Sequence, residues 1–583
     1  MTVHKQKKFC AAALAAMLCL SMVSFPVLAA ETTFSSSGSA PGGQTGAPLS
    51  GNPGSGTESA NTMTYDYSGT HAGALTADGV EKNTDGETFT ATTANQNAAL
   101  AENGGTLKIT DGKLVKSGDD TNGNTCNFYG GNSILLTVGS ASKAYVSGSS
   151  LNASSEGSNG IFSTNSATVY ANDDTIATTA GDSRGLDATY DGNIIANKMT
   201  ISTQGDHCAS IASDRGGGNI SVTNSSLSTA GSDSPLIYST DNIQVSNTTG
   251  TATGSQLAAM EGLNTILIYD SKLESTIAKA TASDPIADGI IIYQSTSGDA
   301  GAKNGKKADF EAVNSTLRSA IESGAMFYFT NTSARVVLSG TTLDFDSDRA
   351  KLMEVRGNGS NNWGTAGSNG ARVIFTGLGE TLRGDIDIDT ISSLNLYLLE
   401  KSVYTGAITI STNASNTSAN AAPATVNIDD GSKWVVTGNS TVTNLNAASS
   451  AELVDARGKS VSIVSNGKTM VQGDSEYTVT VTGSYTTTVS TGDDNALTTR
   501  YIDRTAFDSY YGTSTAFLAT AASAASPSAS ASSGETQQPV SKTGYVLVAG
   551  TAGVAALLGV HAAKRKKAED EENPPDDDRW GGS

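Results

Sequence analysis

The side chains best equipped for chemistry in this chain of 583 residues gather between 182 and 215: Asp182, Arg184, Asp187, Asp206 and His207, then Asp214 and Arg215. Carboxylates beside a cation and an imidazole are what an elimination on an acidic polysaccharide would use, with Ca2+ held by the carboxylates and a base removing the proton. Asp182 and Asp206 stand 206 − 182 = 24 positions apart. If that interval is one repeat of the chain, the two carboxylates stack on neighbouring strands about 4.8 Å apart and repel. Ca2+ bound at Asp182 and Asp206 would relieve the repulsion. Arg184 and Arg215 would relieve it equally well, and simple neutralisation by the arginines is the plainer expectation.

Other acidic groups are weaker candidates. Asn172-Asp173-Asp174 offers paired carboxylates of the kind a hydrolase uses, yet Asn and Asp in sequence also make a solvated turn, which is the expectation here. Asp344, Asp346 and Asp348, and again Asp385, Asp387 and Asp389, alternate with other residues and so share one strand face. That face would bind cations or simply be the wet side of the strand, the second being expected. A different chemistry is offered by Trp363, with Asn361 and Asn362 before it, inside the polar, Gly-rich stretch 356–370. The stretch is too long for a corner and is expected to project, so its indole would stack on a sugar or anchor a protein; the alternative is an indole folded back over an apolar edge.

The elements that must position these groups follow from a repeat. Ile176, Ile201 and Leu227 each open a Ser/Thr-rich phrase ending in Gly and a small polar residue, at intervals of 201 − 176 = 25 and 227 − 201 = 26. Each period holds three short apolar pieces bounded by Gly, Asn, Asp or Ser, for example 161–162, 168–170 and 175–177. Three strands per coil of about 25 residues, stacked on equivalent strands of the next coil, predict an all-β parallel β-helix. Leu186, Ile211 and Ile237 should form one inward stack, and Ile176, Ile201 and Leu227 another. A composition of 37% hydrophobic but only 6% aromatic residues suits a coil, which needs few inward positions per turn. Disordered sequence would have no reason to keep aliphatic residues in register.

Polysaccharide lyases and hydrolases of the pectate-lyase type share such a fold, so a catalytic set must be found in the residues themselves. His207 lies in Gly-Asp-His-Cys rather than Gly-His-Gly, and His71 precedes the coils, which leaves the acid/base set incomplete. Residues 380–450 carry Leu394-Asn-Leu-Tyr-Leu398, Tyr404-Thr-Gly-Ala-Ile408, Val426 through Trp434 and Val436 through Leu445. This resembles the last coils of pertactin-like passenger domains of autotransporter adhesins. The resemblance implies a right-handed helix and an adhesive role, although the outer-membrane barrel of that family is replaced here by a different C-terminus.

The ends give an address. Lys5, Lys7 and Lys8 precede an apolar run and small residues, so 1–30 reads as a signal peptide. Residues 31–60 form a Ser/Gly/Pro-rich linker, 61–515 the ectodomain, 516–544 an Ala/Ser-rich stalk, 545–563 a membrane span of 563 − 545 + 1 = 19 residues, and 564–583 a cytoplasmic tail beginning Lys-Arg-Lys-Lys. Val540-Ser541-Lys542-Thr543-Gly544 before that span resembles the sorting signal of Gram-positive surface proteins. The resemblance implies a sortase cutting after Thr543 and joining the protein to the cell wall; Val540 and Ser541 depart from the usual Leu-Pro, and retention as a single-pass anchor stays open. Cys126 and Cys208 are 208 − 126 = 82 residues apart, hence several coils, and are expected as buried thiols rather than a disulfide.

The formal charge of −21 becomes −21 − 3 = −24 once the three signal-peptide lysines leave, which disfavours nucleic acid as a partner. No motif demands a cofactor, and Ca2+ is the one ion the acidic stacks would take. The sequence therefore reads as a surface-anchored, adhesin-like binding or display protein without catalysis, meeting a glycan or protein on a host or neighbouring cell. A polysaccharide-cleaving enzyme and a structural envelope stalk are the alternatives.

Overall fold

The computed structural model describes residues 64–281, 284–296, 300, 307–359, 363–419, 424–515 and 517. The expected signal peptide 1–30, linker 31–60, sorting motif 540–544, membrane span 545–563 and tail 564–583, together with Asn361 and Asn362, lie outside them. Among the described residues no helix is long and apolar enough to cross a membrane.

Over most of the array each strand pairs in parallel with the strand three further along the chain, beginning with Ala72–Asp78 beside Gln96–Glu102. Three long stacked sheets result, here called sheets 1, 2 and 3, with 13, 15 and 10 strands, which make the array continuous from residue 72 to beyond 440, and two four-stranded sheets complete its C-terminal part among the described residues. This is the connectivity of a parallel β-helix. The chain is all-β apart from the helices Gly123–Tyr129 and Thr505–Tyr511 and a 3-10 turn, among the described residues.

The expected inward columns are present. Leu186 pairs with Ile211 and Ile211 with Ile237 in sheet 1. Ile176 pairs with Ile201 and Ile201 with Leu227 in sheet 3, and all of these side chains are buried in one continuous core. Burial alternates along sheet 3 strands, as in Thr200–Thr203, so apolar groups face the core while Ser and Thr face out.

Corners between sheets 2 and 3 keep the strands in register from coil to coil. One residue per coil adopts positive φ there, among them Asp111, Gly148, Asp173, Lys198, Asn224, Asn247, Asp270 and Asn314. Asn, Asp and Gly tolerate that conformation best, which is why the sequence punctuates each period with them. The residue after it sends a side-chain oxygen to a backbone N–H of the previous coil: Met199 N donates to Ser225 Oγ (3.0 Å), Ser225 N to Thr248 Oγ1 (3.3 Å) and Thr248 N to Ser271 Oγ (3.1 Å). Backbone donors that the turn would leave buried and unpaired are thus satisfied from coil to coil.

Asp174 occupies this column, and the expectation of a solvated turn is corrected. Asp173 is exposed, but Asp174 is only 1% exposed and its Oδ1 accepts from Ser149 N at 2.8 Å. Burial pushes its carboxyl from an ordinary 3.8 up to about 8. An acid whose folded pKa is raised holds an extra proton in the native state between those values, so its contribution to stability falls as pH rises from about 4 to 8. Asp174→Asn keeps an acceptor for Ser149 and removes the ionisation. Its thermal midpoint is expected to match the parent at pH 5 and exceed it at pH 8; equal pH dependence in both proteins would contradict the buried acid.

Sheets 1 and 2 are covered on their outer faces as well. Helix Gly123–Tyr129 and the loop around Trp363 lie against sheet 1, whose strands are buried on both sides. On sheet 2 the cover is the chain after Thr486, which runs back along the sheet as a strap. Asn495 Nδ2 reaches Thr376, Thr498 N reaches Glu311, Ile502 N reaches Gln244 and Tyr511 Oη donates to the carbonyls of Val146 and Tyr170. At its centre buried Arg504 gives Nη1 to Ser221 O and Oγ, Nη2 to Ala196 O and Thr223 Oγ1, and Nε to Thr515 Oγ1, all within 3.0 Å. At the far end of the array, the antiparallel hairpin Ser462–Ser465 with Lys468–Val471 joins strand Thr478–Val481, which pairs with Ser440–Val442.

Candidate functional site

The acidic constellation sits on the outer side of sheet 1. Leu186–Thr189 points Leu186 inward and Asp187 outward, while Asp214 follows the next strand, Ile211–Ser213, so both carboxylates meet Arg184 from the turn before Leu186. Arg184 Nη1 is 3.3 Å from Asp187 and Nη2 is 2.9 Å from Asp214. The expected neutralisation of the stack is met in part: Arg184 ion-pairs with Asp187 and Asp214 and also feels the charge of Asp182, while Arg215 lies over the Phe128 ring at 3.8 Å.

This network is sealed. Arg184 is 1% exposed, and helix Gly123–Tyr129 closes over it, with Asn127 Oδ1 accepting from Nη1 at 3.0 Å and Phe128 O accepting from Thr189 Oγ1 at 2.8 Å. The helix is capped by Asn122, whose side chain accepts from Thr125 N, and ends at Gly130 with φ 70. Burial drives the carboxyls of Asp187 and Asp214 above the usual carboxylate range, with Arg184 opposing it. A guanidinium enclosed in this way has no face left for a substrate.

Asp182 and Asp206 do occupy adjacent coils, joined by Asp182 N to Asp206 O at 3.0 Å. Their side chains part: Asp182 is buried, whereas the Asp206 side chain is 59% exposed and lies 3.3 Å from His207 Nδ1. His207 Nε2 faces Asp233 at 3.4 Å. Among the described residues no group of three His, Cys, Asp or Glu side chains is arranged to hold a metal ion.

Trp363 is not a projecting side chain. It is 2% exposed and packs on Tyr293 with ring centroids 4.5 Å apart, in a cluster with Tyr238, Ile291 and Tyr328 on the outer face of sheet 1. The loop is pulled down by asparagines: Asn358 Nδ2 donates to Thr330 Oγ1 at 2.7 Å, and Asn369 Nδ2 to Trp363 O at 2.9 Å. Beside the indole is a cavity of about 10 Å³, room for a single water, lined by Asp233, Gln256, Asp284 and Tyr293.

The alternating acids also divide. Asp344, Asp346 and Asp348 are exposed, and Arg318 and Arg349 lie beside the first two. Asp387 and Asp389 are buried instead, because the chain at 357 and 409–413 folds over them. Asp389 accepts from Gly357 N, Ser392 Oγ and Asn413 Nδ2, and Asp387 from Thr409 Oγ1 and Ser411 Oγ. Cys126 and Cys208 are free and buried; Cys208 stands in a serine column, its Sγ accepting from Ser183 N while its own N–H goes to Ser234 Oγ.

One further feature escaped the reading of the sequence. Between sheet 2 and the strap lies an open cleft of about 310 Å³, walled by Asn193, Asn219, Asn242 and Gln244 on one side and by strap residues 500–503 on the other. Asn242 Nδ2 donates to Asn219 Oδ1 at 3.1 Å and Asn219 Nδ2 to Asn193 Oδ1 at 3.2 Å, a ladder across adjacent coils. Its signal was present as asparagines in phase with the repeat, at 219 − 193 = 26 and 242 − 219 = 23. No family model, curated protein or solved structure matches this chain.

Proposed function

We propose that this protein is a surface-anchored, adhesin-like binding or display protein, with the β-helix held outside a Gram-positive-type cell by the C-terminal segment 540–563 and meeting glycans or proteins on a host or neighbouring cell. The observation that carries this reading is the state of Arg184. Within the richest catalytic constellation Arg184 is spent on Asp187 and Asp214 beneath a helix and Arg215 lies over the Phe128 ring, which favours a structural role there over turnover. Exposed Ser and Thr columns on sheet 3, such as Thr175, Thr200, Ser226 and Thr249, supply a long regular polar surface. The resemblance of 380–450 to pertactin-like coils points the same way.

Binding of the full-length chain to a glycan array and to host cells, beside an assay for unsaturated sugars on acidic polysaccharides, tests the reading. Binding without product release is expected. A polysaccharide-cleaving enzyme is the second reading, favoured by His207 standing between exposed Asp206 at 3.3 Å and Asp233 at 3.4 Å. Release of sugars that is lost in Asp233→Asn would establish it in place of the first. For the anchor, wall-linked material that disappears in Thr543→Ala indicates a sortase, whereas complete extraction of the parent by detergent indicates a membrane span.

A further inference from the structure

We infer that the cleft between the Asn193–Asn219–Asn242 ladder and the strap is a binding site for a neutral, hydroxyl-rich saccharide, an assignment that rests on the glycan-binding reading above and gives it a place. Size is the first reason. At about 310 Å³ the cleft falls at the small end of the range of ligand sites, whereas the cavity beside Trp363 holds about one water.

Hydrogen-bonding capacity is the second. A primary amide has two N–H donors and an oxygen that accepts twice. Asn219 gives one N–H to Asn193 and accepts once from Asn242; Asn242 gives one N–H to Asn219 and accepts once from Gln244 Nε2 at 3.1 Å. Each keeps one donor and one acceptor for the cleft, side by side and repeated about every 4.8 Å along the helix. Vicinal hydroxyls of a sugar, which donate and accept at once, match such paired valences.

Rigidity and charge are the third. The ladder is anchored below, where Asn193 Nδ2 donates to Asp191 O at 2.9 Å, and above, where Gln244 Oε1 accepts from Ile502 N at 2.9 Å and Nε2 reaches Arg500 O at 3.4 Å. The amides are therefore oriented before a ligand arrives, and little rotamer freedom is lost on binding. Exposed Arg500 and Asp503 carry opposite charges on the strap wall, so the cleft as a whole favours a neutral ligand over a uronate or a phosphate. Tyr501 between them is held by its hydroxyl to Thr498 O at 2.8 Å and offers an amphipathic edge.

Titration calorimetry of the full-length chain with neutral hexasaccharides of glucose, mannose, galactose and N-acetylglucosamine tests the site. At least one should bind, and Asn219→Trp, which fills the cleft from a half-buried outward position, should weaken it at least tenfold with the thermal midpoint unchanged. Arg500→Ala, on the strap and exposed, guards against a folding artefact and should weaken the same sugar several-fold. Full affinity retained in both variants would overturn the cleft while leaving glycan binding standing elsewhere on the surface. A neutral extended peptide binding there in place of every sugar would overturn the ligand class, and no sugar binding to the parent would remove both the site and the function on which it rests.

Discussion

Replacing Ile201 with Asp is expected to lower the thermal midpoint of the full-length chain drastically, by a loss on the order of 4 kcal/mol or more. The side chain lies between Ile176 and Leu227 in the inward column of sheet 3 and is 1% exposed. A carboxylate there has apolar neighbours above and below, so it must either stay charged without a partner or take up a proton. Loss of the isoleucine's packing adds to that cost. Each coil of a solenoid is stabilised chiefly by its neighbours, so damage at one level weakens two interfaces. Ile201→Val, which keeps the apolar contact, should cost only about 1 kcal/mol. Circular dichroism melts of both variants decide the matter, and an unchanged midpoint for Ile201→Asp would mean that the inward register is wrong.

What the sequence made legible was whatever repeats. The apolar columns and the Asn, Asp and Gly corners recur at each coil, so every period is independent testimony to the same geometry, and Leu186, Ile211 and Ile237 pair as their spacing implied. Cover over the coils was not legible, because it is built from segments that occur once. The seven-residue helix Gly123–Tyr129 shows no apolar period, yet it decides that Arg184 is closed off. The strap after Thr486 owes its position to partners far away in sequence, from 119 positions for Asn495 with Thr376 to 365 for Tyr511 with Val146, and no local pattern announces that. Trp363 was misplaced for a related reason. Gly and Asn suggested projection, whereas Asn358 and Asn369 spend their amides on tying the loop down and leave the indole to cover Tyr293. The candidate site was visible only in part. Asp182 and Asp206 do stack on adjacent coils, but charge pairing passes to Asp187 and Asp214, whose outward positions the 24-residue interval did not single out.

The second large effect is expected at Arg184. Truncation to Ala leaves Asp187 and Asp214 enclosed without their cation and Asn127 without its donor, a situation that costs about 3–5 kcal/mol when a buried pair is broken. Both carboxyls already lie above their usual range through burial, and removing Arg184 pushes them further up. The native variant must then hold protons that the unfolded chain has released, so its deficit relative to the parent should be larger at pH 8 than at pH 5. Removing all three charges together, in Arg184→Met with Asp187→Asn and Asp214→Asn, should restore much of the loss, because no ion then remains buried without a partner. That triple variant also separates structure from activity. If the constellation serves only to seat the helix Gly123–Tyr129 on sheet 1, a refolded triple variant binds the same glycans as the parent; loss of binding or of sugar release in a variant with the parent's thermal midpoint would assign these residues a direct part in function.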